Sequence, residues 1–98
     1  MDIKRFDCVT VAETDKTIFT VPSGKAYTVT GLSVCETAGE SGELTFKIGS
    51  QVVGEFGIAG PDTIYPITNI NTAAGESLTV TCTCSGVFVT ASVVERDV

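Results

Sequence analysis

The sequence predicts an all-β domain: a single antiparallel β-sandwich of about eight strands with a jelly-roll-like path. Three observations carry this. The composition is 43% hydrophobic, with abundant Val, Ile and Thr and ten glycines, a bias that suits a pleated, half-buried surface. Short runs of alternating apolar and polar residues recur between Gly, Pro, Asn and Ser turn signals. Helical spacing of apolar residues is almost absent. At 98 residues the chain makes one domain, 1–98, and folding buries roughly two-thirds of its surface.

Taken in order, a first strand is expected over Phe6 to Glu13 and a second over Thr17 to Val21. Residues 1–5 read as a flexible N-terminal arm or a frayed end. "PSGK" follows, where Pro22 fixes φ and Gly24 permits a left-handed turn. A long strand is expected from Ala26 to Glu36. Its apolar parity changes around Gly31, which predicts a β-bulge or bend there.

"ETAGESGE" reads as a loop and "LTFKIGSQVVGEFGI" as a hairpin. A three-residue loop, Gly49 to Gln51, sets Leu44, Phe46 and Ile48 against Phe56, Gly54 and Val52. That register keeps one face apolar, whereas a two-residue turn at Gly49 and Ser50 puts Leu44 opposite Glu55. "TIYPITNI" reads as a strand, and Pro66 places it at an edge or in a bulge because proline donates no ladder bond.

The final stretch, "LTVTCTCSGVFVTASVV", reads as a hairpin turning at Ser85 and Gly86. In that register Cys84 faces Val87, Cys82 faces Val89, Val80 faces Ala91 and Leu78 faces Val93. All eight then share one apolar face, and the opposite face is mostly hydroxylated. Both cysteines fall on core positions. Same-face residues two apart in a strand are separated by about 6.6 Å, a poor geometry for a disulfide.

The remaining residues offer no catalytic, cofactor-binding or metal site. There is no histidine, and Cys8 and Cys35 are isolated in sequence, so the four-ligand pattern of a zinc site is missing. Hydrolysis by a nucleophile and base lacks its usual base. The acidic loop with Glu36, Glu40 and Glu43 lacks the clustered Asp and Asn that calcium favours. The expectation is a non-enzyme without cofactor. Twelve acidic against six basic side chains give a net charge of −6, which disfavours nucleic acid as a partner. No run reaches the ~18 apolar residues of a membrane helix. The charged start, "MDIKRFD", does not resemble a signal peptide. Synthesis in a cytoplasm, with reduced thiols, is therefore expected.

Adjacent apolar residues point to opposite faces of a strand. Ile18–Phe19, Val52–Val53, Phe88 with its valine neighbours and Val93–Val94 therefore predict an outer face covered by self-association or by a larger assembly.

Three stretches, "FTVPSGKAYTVTGLSVCET", "LTFKIG" and "INTAAGESLTVTCTCSGVFVTASVVE", carry a resemblance. Over residues 19–95 this order of strands and turns resembles that of small virion structural proteins of tailed bacteriophages. The "TCTC" pair departs from that pattern, where small or β-branched residues are expected. The resemblance implies a capsid decoration or cement protein located on the virion. Its partner would be the major capsid protein or another virion protein, and a homo-oligomer, with a trimer favoured, fits capsid symmetry. The alternative is a tail, neck or fibre-associated carbohydrate- or receptor-binding module, using Tyr27, Tyr65 and Phe88 as aromatic platforms.

Overall fold

The computed structural model describes residues 2–36, 39, 41–59, 62–64 and 69–98. Nine strand segments cover them: β1 (Asp2–Val9), β2 (Lys16–Thr20), β3 (Lys25–Glu36), β4 (Ser41–Ile48), β5 (Gln51–Ala59), β6 (Asp62–Ile64), β7 (Ile70–Thr72), β8 (Ser77–Cys82) and β9 (Phe88–Asp97). They form two antiparallel sheets. The first has the order β1-β9-β3-β6, with β7 also on β3, and the second has the order β2-β8-β4-β5. β6 pairs with Val34–Glu36 and β7 with Tyr27–Val29, so the two occupy successive lengths of β3 as one interrupted strand. Counted that way the sandwich has eight strands, four per sheet, in the crossing order of a jelly roll.

The reason these residues form a sandwich lies in strand alternation. Along β9, Val89, Ala91 and Val93 are buried while Phe88 is half exposed. Along β8, Leu78, Val80 and Cys82 are buried. The two inner faces pack into one core with Leu32, Val34, Leu44 and Phe46. At one end Phe6, Phe19 and Tyr27 meet with ring centroids 5.3 to 5.8 Å apart, a spacing that adds about 0.5–1.5 kcal/mol per aromatic pair.

The expected bulge in the long strand is present: the β3–β9 register shifts between Val29 and Gly31. Gly24 adopts the left-handed conformation, with φ of 79°. The β4–β5 hairpin agrees with expectation for its first two pairs, Leu44 with Phe56 and Phe46 with Gly54, and then departs. Lys47 pairs with Val52 and Ile48 with Gln51, so the turn is the two-residue Gly49-Ser50. A register shift after Phe46 absorbs the extra residue and keeps Leu44 and Phe46 inward, which reconciles the short turn with an apolar face. The positive φ falls on Gly49, where a type II′ turn calls for glycine.

Four further expectations are corrected. Residues 2–5 are no arm. They pair with β9 from Asp2–Glu95 to Arg5–Ser92, the ladder satisfying their backbone groups. The first strand ends at Val9, because the chain turns over residues 12–13 with Glu13 at φ 58°. β8 and β9 do not form a hairpin: β8 pairs with β2 and β4, whereas β9 pairs with β1 and β3. Their apolar faces do share the core, but across the sandwich. Ile18 and Phe19 are both buried, at 6% and 3% exposure, because a register shift between Thr17 and Phe19 breaks the alternation of β2. Pro66 lies outside the described residues. Its flanking segments β6 and β7 both run along the edge of β3.

Candidate functional site

The place where the chain leaves β8 for the other sheet gathers the most distinctive chemistry. β8 ends at Cys82, and a bend over 83–85 carries the chain toward β9. That bend draws Cys84 back toward its neighbour, leaving the two sulfurs 3.4 Å apart instead of at strand spacing. The backbone N–H of Cys84 also donates to Cys82 Sγ at 3.4 Å. Cys82 is a fully buried core residue, as the alternation predicts, but Cys84 is only partly buried.

Thr10, in the connection from β1 to β2, clasps this bend. Its hydroxyl donates to the Cys84 carbonyl at 2.8 Å and accepts from the Val87 N–H at 3.1 Å. Its backbone exchanges bonds with Val87 and Gly86, both at 2.9 Å. Glu13 N–H donates to the Cys82 carbonyl at 2.8 Å. On the other side, Thr83 N–H donates to the Glu43 carbonyl at 3.1 Å, and Glu43 N–H donates to Thr83 Oγ1 at 3.0 Å. Gly42 completes the fit, since a Cβ there would lie 2.8 Å from Cys84 Sγ and 2.9 Å from Thr83 Oγ1. No sequence signal revealed Thr10 or Gly42, because their roles depend on contacts across the fold.

A second cluster sits at the opposite end of the first sheet. Glu95, 7% exposed, lies 3.7 Å from Lys4 and 3.9 Å from Lys25, and Lys25 also bonds Asp97. The hydrogen bond to Asp97 is the main cause that raises the Lys25 amine, and the same bond lowers the Asp97 carboxyl. Burial raises the Tyr27 phenol, with its hydrogen bond to Glu95 second. Fixed opposite charges of this kind close a sheet end.

The other sequence candidates are dispersed. Cys8 is half buried on β1, where desolvation raises its thiol. Cys35 lies on β3 and accepts a hydrogen bond from Thr63 at 3.4 Å. Glu36 ends β3 facing inward at 1% exposure, while Glu43 is on β4. Glu40 lies outside the described residues. Among the described residues no group of three or more His, Cys, Asp or Glu side chains is placed to hold a metal ion. Tyr27 is 3% exposed within the aromatic cluster, which removes it as a carbohydrate platform. Tyr65 lies outside the described residues, and Phe88 remains half exposed beside Val9 on the outer face of the first sheet.

Comparison with known proteins gives a fold and no family. No family model matches the sequence, and no curated protein matches it. Among the solved structures that match, one is similar over 99% of this chain and 86% of its own length, with a TM-score of 0.61 and 14% identity. It comes from Bacillus endospore appendages, described as a family of disulfide-linked pili. At that identity the likeness is one of fold.

Proposed function

We infer that this chain is a non-catalytic structural subunit that works by assembling in many copies through its surface. The observation that carries this is the edge formed by β5. Nine residues long, among the described residues it pairs with β4 on one side only. Among its residues only Glu55 is charged, and it contains no lysine or proline. Exposed edge strands are ordinarily protected by such residues, because unpaired N–H and C=O groups template pairing with another chain. By contrast, β1, which edges the other sheet, carries Asp2, Lys4, Arg5 and Asp7. A second copy of this chain is the occupant that best fits the β5 edge. The whole-chain likeness to a pilus protein is in keeping with such a role.

Decoration of a bacteriophage capsid is the second reading, favoured by the strand-and-turn order of residues 19–95. There the subunit would be a homo-oligomer, with a trimer favoured, resting on the major capsid protein or another virion protein. Two measurements test these readings. Sedimentation and negative-stain microscopy of the purified chain should show concentration-dependent assemblies; a monomer at every concentration would end the self-assembly reading. Quantitative mass spectrometry of particles from the source should find hundreds of copies if the chain coats a capsid, and none if it does not.

A further inference from the structure

We propose that Cys82 and Cys84 form a dithiol site that a small-molecule disulfide oxidises to an intramolecular Cys82–Cys84 disulfide. The sulfurs are already 3.4 Å apart, so bond formation at about 2.05 Å needs only ~1.4 Å of further approach. The surroundings hold them in that relation. The carbonyls of both cysteines accept hydrogen bonds from the β1–β2 connection, through Glu13 N–H and the Thr10 hydroxyl. Thr83, between them, is bonded to Glu43 on β4 in both directions. Gly42 leaves the space that Cys84 Sγ fills. Nothing about core packing requires two sulfurs to face each other at a bend.

The two thiols differ in the way a two-step exchange needs. Cys84 is partly exposed and meets the oxidant first, whereas Cys82 is fully buried. The backbone N–H of Cys84 donates to Cys82 Sγ at 3.4 Å and so fixes the position of the buried sulfur. In the first step the Cys84 thiolate attacks one sulfur of the disulfide RSSR. The S–S bond breaks, one RS⁻ leaves, and a mixed disulfide forms at Cys84. The Cys82 thiolate then attacks Cys84 Sγ and expels the second RS⁻. Two electrons pass from the protein to RSSR, and the two thiol protons end on two RSH. The resulting bridge spans a single intervening residue at a tethered bend, so it is strained and readily reduced again. Cys8 and Cys35 lie on strands of the other sheet, which leaves the pair to react internally.

The test uses the full chain equilibrated with oxidised and reduced glutathione at varied ratios, trapped by alkylation and cut with trypsin. Cleavage after Lys47 and Arg96 gives one peptide, 48–96, holding Cys82 and Cys84 and no other cysteine. The expected result is that this peptide becomes two hydrogens lighter and takes up no alkylating agent, while the chain stays single on a non-reducing gel. A Cys8→Ala/Cys35→Ala variant should behave the same, and Cys84→Ala should stop the mass shift. Two alkylatable thiols throughout, arrest at a mixed disulfide on Cys84, or a bridge between two chains would each overturn the proposal. Self-assembly is read separately by sedimentation of the reduced chain, so failure of one inference leaves the other standing.

Discussion

Thr10 and Cys84, 74 residues apart in sequence, are joined by a 2.8 Å hydrogen bond from the threonine hydroxyl to the cysteine carbonyl. The same hydroxyl accepts from Val87 N–H, and Thr10 is 2% exposed. One small side chain thus ties the β1–β2 connection to the crossing between the sheets. Thr10→Val keeps the shape but removes the bond to the Cys84 carbonyl and orphans the buried Val87 N–H. It should destabilise the fold by about 1–3 kcal/mol per orphaned group, whereas Thr10→Ser should retain most of the stability. Urea denaturation of the three proteins checks this, and equal midpoints for valine and threonine would refute the clasp.

Gly42 is where shape rather than hydrogen bonding matters. A methyl group there meets Cys84 Sγ and Thr83 Oγ1 below 3.0 Å, so Gly42→Ala should cost about 1–3 kcal/mol, as overpacking does. Part of the clash is with the sulfur itself. Combining Gly42→Ala with Cys84→Ala should therefore cost less than the sum of the single changes. Additive effects in denaturant titrations would mean that the sulfur and Gly42 do not compete for space.

Alkaline pH should loosen the aromatic end of the core. Burial, and then the hydrogen bond to Glu95, raise the Tyr27 phenol above its ordinary value of 10.0. The folded chain therefore keeps the proton to a higher pH than the unfolded chain does. Its contribution is fully present below the unfolded value and is lost as pH rises through the folded one. Lys25, raised chiefly by its bond to Asp97, and Cys8, raised by burial, act in the same direction. Tyr27→Phe removes one of the three groups. Between about pH 9 and 12 its stability should fall less steeply than that of the unaltered chain. Identical slopes would exclude Tyr27 from the alkaline transition.

The fold was legible because alternation reports which side chains face a core. Leu78, Val80, Cys82, Val87, Val89, Ala91 and Val93 all point inward as the pattern requires. Alternation does not report the partner. An apolar face satisfies itself equally against a neighbour in the same sheet or against the opposite sheet, so a crossing between sheets looks like a hairpin. The cysteine pair was obscured for the same reason: two residues of one strand stand well apart, but the strand ends at Cys82. Thr10, Ala12, Glu13 and Glu43, all distant in sequence, hold the bend that brings the sulfurs together. At β2, the shift between Thr17 and Phe19 buries two adjacent residues that strict alternation would separate.

The β5 edge gives the most direct test of assembly. Val52 is 45% exposed, and a side chain at Gly57 would meet nothing within 4 Å. Val52→Lys and Gly57→Lys therefore place charge on the edge without disturbing the core, at a cost of about 0.5 kcal/mol for the exposed valine. Lysine on an edge strand opposes pairing with a second strand, because docking would desolvate its charge. Each variant should melt within a few degrees of the unaltered chain and sediment as a monomer where that chain assembles. Phe88→Glu, on the outer face of the first sheet, serves as the comparison. If assembly survives both lysines and is lost with the glutamate, contact runs through the Phe88 face, and the bare edge of β5 plays no part in it.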